Sequence, residues 1–174
     1  LRVLRAAAGN RRVMVVLKGD AYGLGAVPIA RMLERCGVDA VAVDTVSEGL
    51  ALRAAGIRAP ILTMDVDVAD NSELGLAADL TPTIATVEHV RHYADLARRR
   101  DLPVTAWLRT NVGFNRFGPR RDEQFTEVLT EAAAHAGSLR IAALFTRLSS
   151  AAWNEQETAR QAAAFGERVA EARA

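Results

Sequence analysis

A continuous apolar run, residues 13–17, ends directly at Lys18, and a loop with three glycines follows it. An unbroken run of this length between turn residues predicts a strand covered on both faces, as in the parallel sheets of α/β proteins. We therefore expect Lys18 at the carboxyl end of a buried strand. That edge binds ligands in barrels and open α/β sheets, because the strand fixes the side chain while the following loop varies.

The chemistry of Lys18 has two interpretations. An ammonium group is expensive to bury without a partner, and a desolvated amine is the form that condenses with carbonyl compounds. The glycines that follow let the main chain approach a ligand and present N–H groups to an anion. The alternative is a strand-end lysine whose ammonium group reaches solvent. Spacing alone leaves both open, and Tyr22 in the same loop is a weaker candidate by itself.

Residues 17–25, L-K-G-D-A-Y-G-L-G, resemble the pyridoxal phosphate motif of alanine racemases, V-K-A-D-A-Y-G-H-G. The resemblance implies that Lys18 carries pyridoxal 5'-phosphate as an internal aldimine and is one of two acid/base groups. It also implies that Tyr22 holds the cofactor phosphate. Gly19 and Leu24 depart from the family motif.

Strand and helix patterns alternate along the chain after a first helical segment, residues 1–8. The predicted strands are 13–17, 40–43, 61–64, 81–84, 103–110 and 141–145. The predicted helices are 26–35, 45–55, 68–78, 87–100, 122–136 and 155–172. The segment Thr45 to Glu48 offers a capping box, which marks a helix start and nothing more. Strands separated by helices predict βαβ units with right-handed crossovers, so the expected fold class is α/β, a partial (β/α)8 barrel of about six units.

The strand count does not complete a barrel. Eight strands and typically about 250 residues are needed, and the chain has 174. We favour the N-terminal portion of a longer barrel protein over the alternative, in which a partner covers the open strand edges. The resemblance places the last two barrel units and a C-terminal β domain outside residues 1–174. Because that β domain supplies the second acid/base tyrosine to the other subunit, this chain alone is expected not to racemise efficiently.

A second candidate site follows the fifth predicted strand, on the same edge as Lys18. Residues 107–118, W-L-R-T-N-V-G-F-N-R-F-G, resemble the alanine racemase segment H-L-K-x-D-T-G-M-x-R-L-G. The resemblance implies that Arg116 contacts the substrate carboxylate and the cofactor. Arg109 stands where the family has a lysine that is commonly carbamylated, and Asn111 stands at an aspartate. Since arginine cannot provide the missing anion, we expect a bound anion, such as chloride or a carboxylate, beside Arg116. The alternative, which the residues alone leave open, is that Arg116 merely caps or crosses a loop.

A third stretch, residues 143–151, ends the sixth predicted strand and looks like the family's F-T-H-F-A-x-A-D. Arg147 occupies the histidine position, and downstream Gln161 and Phe165 match the helix that follows. The resemblance places that histidine by the cofactor ring, where it supports the arginine that faces the pyridine nitrogen. Arg147 would repel that arginine unless an anion or a partner separates them.

Composition limits the partners. A net charge of +1 argues against a nucleic-acid or polybasic membrane surface. The single cysteine, Cys36, excludes an intrachain disulfide and is interpreted as a small buried hydrophobe rather than a reactive thiol. His89 and His92 lack a third metal ligand and are assigned to a solvated helix face, and the aspartates of residues 65–70 are too irregular for a calcium loop. No membrane span or signal peptide is evident, so a cytoplasmic location follows by default.

The favoured hypothesis is a pyridoxal-phosphate-dependent amino-acid racemase, which removes the α proton and returns it on the other face. Its expected partners are a small amino-acid substrate and, at full length, a second subunit, with neither nucleic acid nor membrane. The alternative is a catalytically degenerate domain that acts as a binding or regulatory module, suggested by Leu24, Arg109, Asn111 and Arg147. A weaker third option is a related barrel decarboxylase or a racemase of other specificity. The sequence does not name the amino acid.

Overall fold

A computed structural model describes residues 1–66 and 71–174 of the chain. These residues form two compact units, Leu1–Pro82 and Thr83–Ala174, and each is described by itself. The alternation of strands and helices predicted from the sequence is present in both units. None of the helices in the described ranges has both the length and the apolar character needed to cross a membrane.

The first unit is built on a four-stranded parallel sheet with the order β1-β2-β3-β4. Its strands are β1 (Met14–Val16), β2 (Ala40–Val43), β3 (Ile61–Thr63) and β4 (Leu80–Thr81). Its helical segments are α1 (Arg2–Ala8), α2 (Lys18–Gly23), α3 (Ala26–Arg35), α4 (Val46–Ala54) and α5 (Ser72–Ala77). The predicted helix 68–78 begins outside the described residues, as do two of the aspartates considered for calcium.

The core of this unit lies around the central strands. Val41, Val43 and Ile61 are fully buried, whereas all three residues of β1 are only partly buried. The prediction of a first strand covered on both faces is therefore wrong for this unit, because β1 lies at the edge of its sheet. Cys36 is also exposed rather than buried, since it caps the C-terminus of α3 beyond the last buried turn.

The second unit has a three-stranded parallel sheet with the order β5-β6-β7. Its strands are β5 (Thr83–Ile84), β6 (Val104–Arg109) and β7 (Leu139–Phe145). Its helices are α6 (Val87–Arg100), α7 (Asp122–Ala134) and α8 (Glu155–Glu171). Thr86 caps α6 by accepting the His89 N–H, and Asn154 caps α8 by accepting the Glu157 N–H.

The strand predicted at 81–84 is divided into β4 and β5. Pro82 lies between them and has no N–H to donate to a neighbouring strand. The division also marks the boundary between the two units. The remaining predicted strands and helices occur within a few residues of their expected bounds.

Candidate functional site

Lys18 begins a segment of unusual handedness, α2, which we call the lysine turn. Four successive residues, 19–22, have φ between 53° and 60° and ψ between 36° and 48°, which is the left-handed helical region. Only the first of them, Gly19, enters this region without a steric penalty. Each of the other three costs roughly 1–2 kcal/mol. Backbone strain of this kind persists only where the surroundings fix it, and it concentrates at functional sites.

Main-chain and carboxylate contacts fix the lysine turn. The Ala21 N–H donates to the Leu17 carbonyl at 2.7 Å, and the Gly25 N–H donates to the Asp20 carbonyl at 2.9 Å. The Asp20 carboxylate accepts the Ala26 N–H at 2.6 Å, which ties the end of the turn to the first residue of α3. Hydrogen bonds to a charged acceptor are about twice as strong as neutral ones. The strained segment is therefore anchored where it meets the helix.

Glu48 anchors the beginning of the same turn. Its Oε1 accepts the Gly19 N–H at 2.6 Å, while its Oε2 accepts the N–H groups of Asp44 and Thr45 at 2.7 and 3.2 Å. The capping box predicted for α4 is confirmed, because the Glu48 N–H also donates to the Thr45 hydroxyl. The view of this motif as a helix start and nothing more is wrong, since its carboxylate also holds the residue after Lys18.

The Lys18 amine lies beside a carboxylate rather than in a dry cavity. Its Nζ is 3.6 Å from Asp44 Oδ1, and the two side chains are 26% and 50% exposed. Asp44 follows β2 just as Lys18 follows β1, and the two strands are parallel neighbours. Lys18 is at the carboxyl end of its strand as predicted, but its ammonium group has both a partner and a path to solvent.

The departures of the lysine turn from the family motif are compatible with its geometry. Gly19 has φ +60°, and a Cβ there would meet no atom within 4 Å. Glycine at this position lowers backbone strain without leaving a packing defect. Leu24 is 74% exposed and Tyr22 is 68% exposed, so both side chains are available for contacts that the described residues do not provide.

The second site lies on residues 110–121, which we call the arginine loop. Asn111 shapes its start: the side-chain oxygen accepts the N–H groups of Gly113 and Asn115 at 2.9 and 3.2 Å, and its own N–H donates to the Pro119 carbonyl. Asn115 and Gly118 both have positive φ, and a Cβ on Gly118 would lie 2.6 Å from the Arg109 carbonyl oxygen. The loop is thus folded back tightly onto the end of β6.

Three arginines and three phenylalanines interleave around this loop, and we call them the Arg/Phe stack. The Arg109 guanidinium lies 5.0 Å from the ring of Phe117 and 5.6 Å from that of Phe145. The Arg116 guanidinium lies 4.8 Å from Phe114 and 5.5 Å from Phe117. Cation–π attraction at these distances stabilises each pair by about 0.5–1 kcal/mol at exposed sites and more when water is excluded.

The stack changes the expected relation between the arginines. Arg147 lies 4.5 Å from the ring of Phe114, so it shares that ring with Arg116, while Arg109 and Arg116 share Phe117. The sequence predicted a bound anion beside Arg116, and that anion stays a prediction. Aromatic rings lie against all three guanidinium groups. Arg109 is 7% exposed, whereas Arg116 and Arg147 are exposed and available to a ligand.

Gln161 of α8 joins the arginine loop to the segment after β7. Its side chain is fully buried; Oε1 accepts the Ser149 N–H at 2.8 Å, and Nε2 donates to Ser149 Oγ and to Glu157. A Cβ on Gly113 would lie 2.7 Å from Nε2. Hydrogen bonds from Arg160 and Gln161 lower the pKa of Glu157 to about 2. The sequence matched Gln161 only by resemblance and gave it no contact.

The two histidines considered for metal binding have other contacts. His89 Nδ1 accepts the Ala85 N–H at 3.1 Å, and the His92 ring packs edge-on against Tyr93 with centroids 5.1 Å apart. Burial and the nearby Arg99 lower the pKa of His92. Both side chains are partly buried, so the assignment to a solvated face is wrong. Within residues 1–66 and 71–174, no group of three or more potential ligands is placed to hold a metal ion.

The predicted site residues fall into both units. Lys18 and Tyr22 share the lysine turn of the first unit, and Arg116 lies in the second. Sequence reasoning missed Asp44 and the link from Glu48 to Gly19. Asp44 could have been proposed from the sequence, because it directly follows the second predicted strand, just as Lys18 follows the first. The contact to Gly19 had none, since it depends on the left-handed turn.

A family model, the alanine racemase N-terminal domain, matches residues 1–174. The alanine racemase of Mycobacterium leprae is 38% identical over 130 residues, which are 75% of this chain and 33% of that protein. The alanine racemase of Mycolicibacterium smegmatis is 34% identical over 150 residues, which are 85% of this chain and 38% of that protein. The chain therefore spans well under half the length of these curated relatives.

Solved structures give the same result. An alanine racemase from Streptomyces coelicolor A3(2) matches 99% of this chain with a TM-score of 0.92 and 26% identity, over 47% of its own length. An alanine racemase from D-cycloserine producing Streptomyces lavendulae also matches 99% with a TM-score of 0.92, at 25% identity over 46% of its length. These likenesses confirm the predicted fold class, α/β with part of a (β/α)8 barrel.

Proposed function

Because this chain belongs to the alanine racemase family, in the N-terminal domain of those enzymes, we propose that it is the lysine-bearing part of a pyridoxal-phosphate-dependent amino-acid racemase. The observation that carries the proposal is the amine of Lys18, presented at the carboxyl end of β1 by a strained left-handed turn. Lys18 is also the single lysine of the sequence, against 21 arginines. Lys18 is therefore the single side-chain amine of the sequence that can condense with an aldehyde.

The residues of the lysine turn fit the proposed cofactor. The side chain of Lys18 is 26% exposed, so its amine can reach an aldehyde, and the largely exposed Tyr22 can donate its hydroxyl to a phosphate. Gly19 and Gly23 have no atoms within 4 Å of the position of a Cβ, which leaves room beside the turn. When bound, pyridoxal phosphate supplies the electron sink that makes an α proton of an amino acid removable.

Each of the three predicted site residues would have a different role, set by its charge and its position. Lys18 holds the cofactor and moves one proton, Tyr22 holds the phosphate, and Arg116 orients the substrate carboxylate with its planar fork. Return of the proton on the opposite face needs a second group. We place that group on a second subunit of a full-length homodimer. Absence of a nucleic-acid partner and a cytoplasmic location stay predictions.

The test is cofactor capture by the full-length protein. Wild type mixed with pyridoxal phosphate and dialysed should retain the absorption band of the cofactor joined to an amine. Lys18→Ala should lose it, and Lys18→Arg is the matched control, because it keeps a cation opposite Asp44 but has no condensing amine. An unchanged spectrum in Lys18→Ala would remove Lys18 from the mechanism. Chiral chromatography of amino acids incubated with the loaded protein then tests racemisation.

The inactive binding module is the second candidate. The observation that favours it is Arg109, a largely buried cation at the end of β6 that lies against the rings of Phe117 and Phe145, next to the loop that carries Arg116. A cation there gives Arg116 a different electrostatic environment from that of an anion. Racemisation of any amino acid excludes this candidate. The inactive candidate is supported if the protein retains the cofactor but shows no racemisation, no proton exchange at the α carbon and no release of carbon dioxide.

A further inference from the structure

Glu48 joins the two loops that carry Lys18 and its partner Asp44. One carboxylate oxygen accepts the Gly19 N–H, and the other accepts the Asp44 and Thr45 N–H groups. We propose that Glu48 is a positioning residue that sets the direction of the Lys18 amine by fixing the main chain on both sides of the Lys18–Asp44 pair. This inference rests on the proposed role of Lys18.

The position of Gly19 makes this contact decisive for Lys18. The left-handed conformation begins at Gly19, directly after the lysine, and glycine is the residue with the widest choice of main-chain conformations. Without a partner, its N–H would be free to turn, and Lys18 would turn with it. The 2.6 Å contact to a carboxylate oxygen removes that freedom at the peptide that follows the lysine.

Asp44 gives the second half of the argument. Its carboxylate lies 3.6 Å from Lys18 Nζ, and its main-chain N–H donates to Glu48 at 2.7 Å. The same carboxylate therefore fixes the peptides of both members of the ion pair. A half-exposed pair of this kind holds its geometry poorly by itself, because exposed ion pairs contribute little. The hydrogen bonds to Glu48 restrain the main chain beside both members of the pair.

Replacing Glu48 by Gln removes the negative charge and one of the two acceptor oxygens. The amide keeps one acceptor but turns the other into an NH2 donor, so either Gly19 or the Asp44–Thr45 pair loses its acceptor. Loss of a hydrogen bond to a charged group corresponds to about a tenfold or larger shift in the population of the fixed turn. The size of the side chain is unchanged, so packing around α4 is preserved.

The chain offers a matched control in Glu34 of α3. Its Oε1 accepts the N–H groups of Arg58 and Ala59, both at 2.7 Å, on the loop that leads into β3. Glu34→Gln therefore also removes a carboxylate that binds two main-chain N–H groups in the same unit. It does not contact the lysine turn. A single oxygen of Glu34 accepts both N–H groups, and the amide of Gln keeps one oxygen, so Glu34→Gln controls for the loss of charge alone. Only Glu48→Gln should affect Lys18.

The first measurement is reductive trapping with pyridoxal phosphate as the probe. The Lys18 amine attacks the aldehyde carbon, the C=O bond is replaced by C=N with loss of water, and borohydride then delivers hydride to that carbon. Mass spectrometry of the Lys18 peptide gives the rate. We expect Glu48→Gln to trap about tenfold more slowly than wild type, with Glu34→Gln unchanged. Equal rates in all three proteins, or equal slowing in both variants, would overturn the proposal.

The second measurement does not need the cofactor. Amide hydrogen exchange should be about tenfold faster in Glu48→Gln than in wild type or Glu34→Gln, either at Gly19 or at Asp44 and Thr45, whichever loses its acceptor. If wild type fails to trap the probe, the proposed function fails, and the exchange rates at these three amides decide the positioning role. Unchanged exchange overturns it. If Glu48→Gln does not fold, Glu48→Asp is measured instead, because it keeps the charge but is too short to span both loops.

Discussion

The lysine turn and the arginine loop both follow a parallel strand, but different forces hold them. Carboxylates that accept main-chain N–H groups fix the lysine turn, with Glu48 at its start and Asp20 at its end. Aromatic rings contact the side chains in and beside the arginine loop, where Arg109 and Arg116 both lie against the ring of Phe117. The first arrangement sets the direction of one peptide, and the second keeps like charges apart.

Because of this difference, departures from the family motif have different structural consequences in the two segments. In the lysine turn, Gly19 takes a left-handed conformation that suits it, and Leu24 points outward. In the arginine loop, Asn111 still accepts two N–H groups, so its loss of charge leaves the turn intact. Arg109 is the consequential change, because it places a buried cation where rings must separate it from Arg116.

Glycine-to-alanine changes in the two segments should give the largest contrast in stability. In Gly118→Ala, the new Cβ would lie 2.6 Å from the Arg109 carbonyl oxygen at φ +92°, so we expect a loss of roughly 3–5 kcal/mol or no folded protein. In Gly19→Ala, the methyl group meets no atom, and only the left-handed conformation is penalised, by about 1–2 kcal/mol. Urea unfolding of the purified variants measures both. Equal losses would show that steric contact does not distinguish the two segments.

A smaller effect should follow from removing the shared ring of the Arg/Phe stack. Phe117→Leu keeps an apolar side chain but ends two cation–π contacts, so we expect a loss of about 1–2 kcal/mol. Because Arg109 and Arg116 then face each other without a ring, added salt should recover part of that loss. The measurement is unfolding at low and high salt. Arg116→Met and the double variant complete a cycle, and a zero coupling between Arg116 and Phe117 would contradict the stack.

The sequence predicts the scaffold of these sites better than their internal geometry. Periodicity indicates α6, because helix signals are local. Pro82 was a readable break inside the strand predicted at 81–84, since proline has no N–H to donate to a neighbouring strand. The lysine turn could not be inferred, since left-handed conformations for Asp20, Ala21 and Tyr22 oppose their local preferences and depend on distant anchors. The Arg/Phe stack had a partial signal in the sequence, because Phe114, Arg116 and Phe117 are close neighbours in the chain. Phe145 could not be added from the sequence, since it reaches Arg109 only through the pairing of β6 with β7.

The smallest predicted effect concerns the support of the arginine loop at α8. Glu157 accepts hydrogen bonds from Arg160 and Gln161, which lower its pKa from 4.5 to about 2. A carboxyl whose pKa is depressed in the folded state stabilises that state above pH 4.5, and the contribution disappears as pH falls toward 2. Wild type should therefore lose its stability advantage over Glu157→Gln across this interval, by a modest amount because the group is exposed. Unfolding of both proteins at several pH values measures the difference. If the difference in unfolding free energy stays constant with pH, Gln161 holds Gly113 and Ser149 without help from the charge of Glu157. The arginine loop, unlike the lysine turn, then does not depend on a carboxylate.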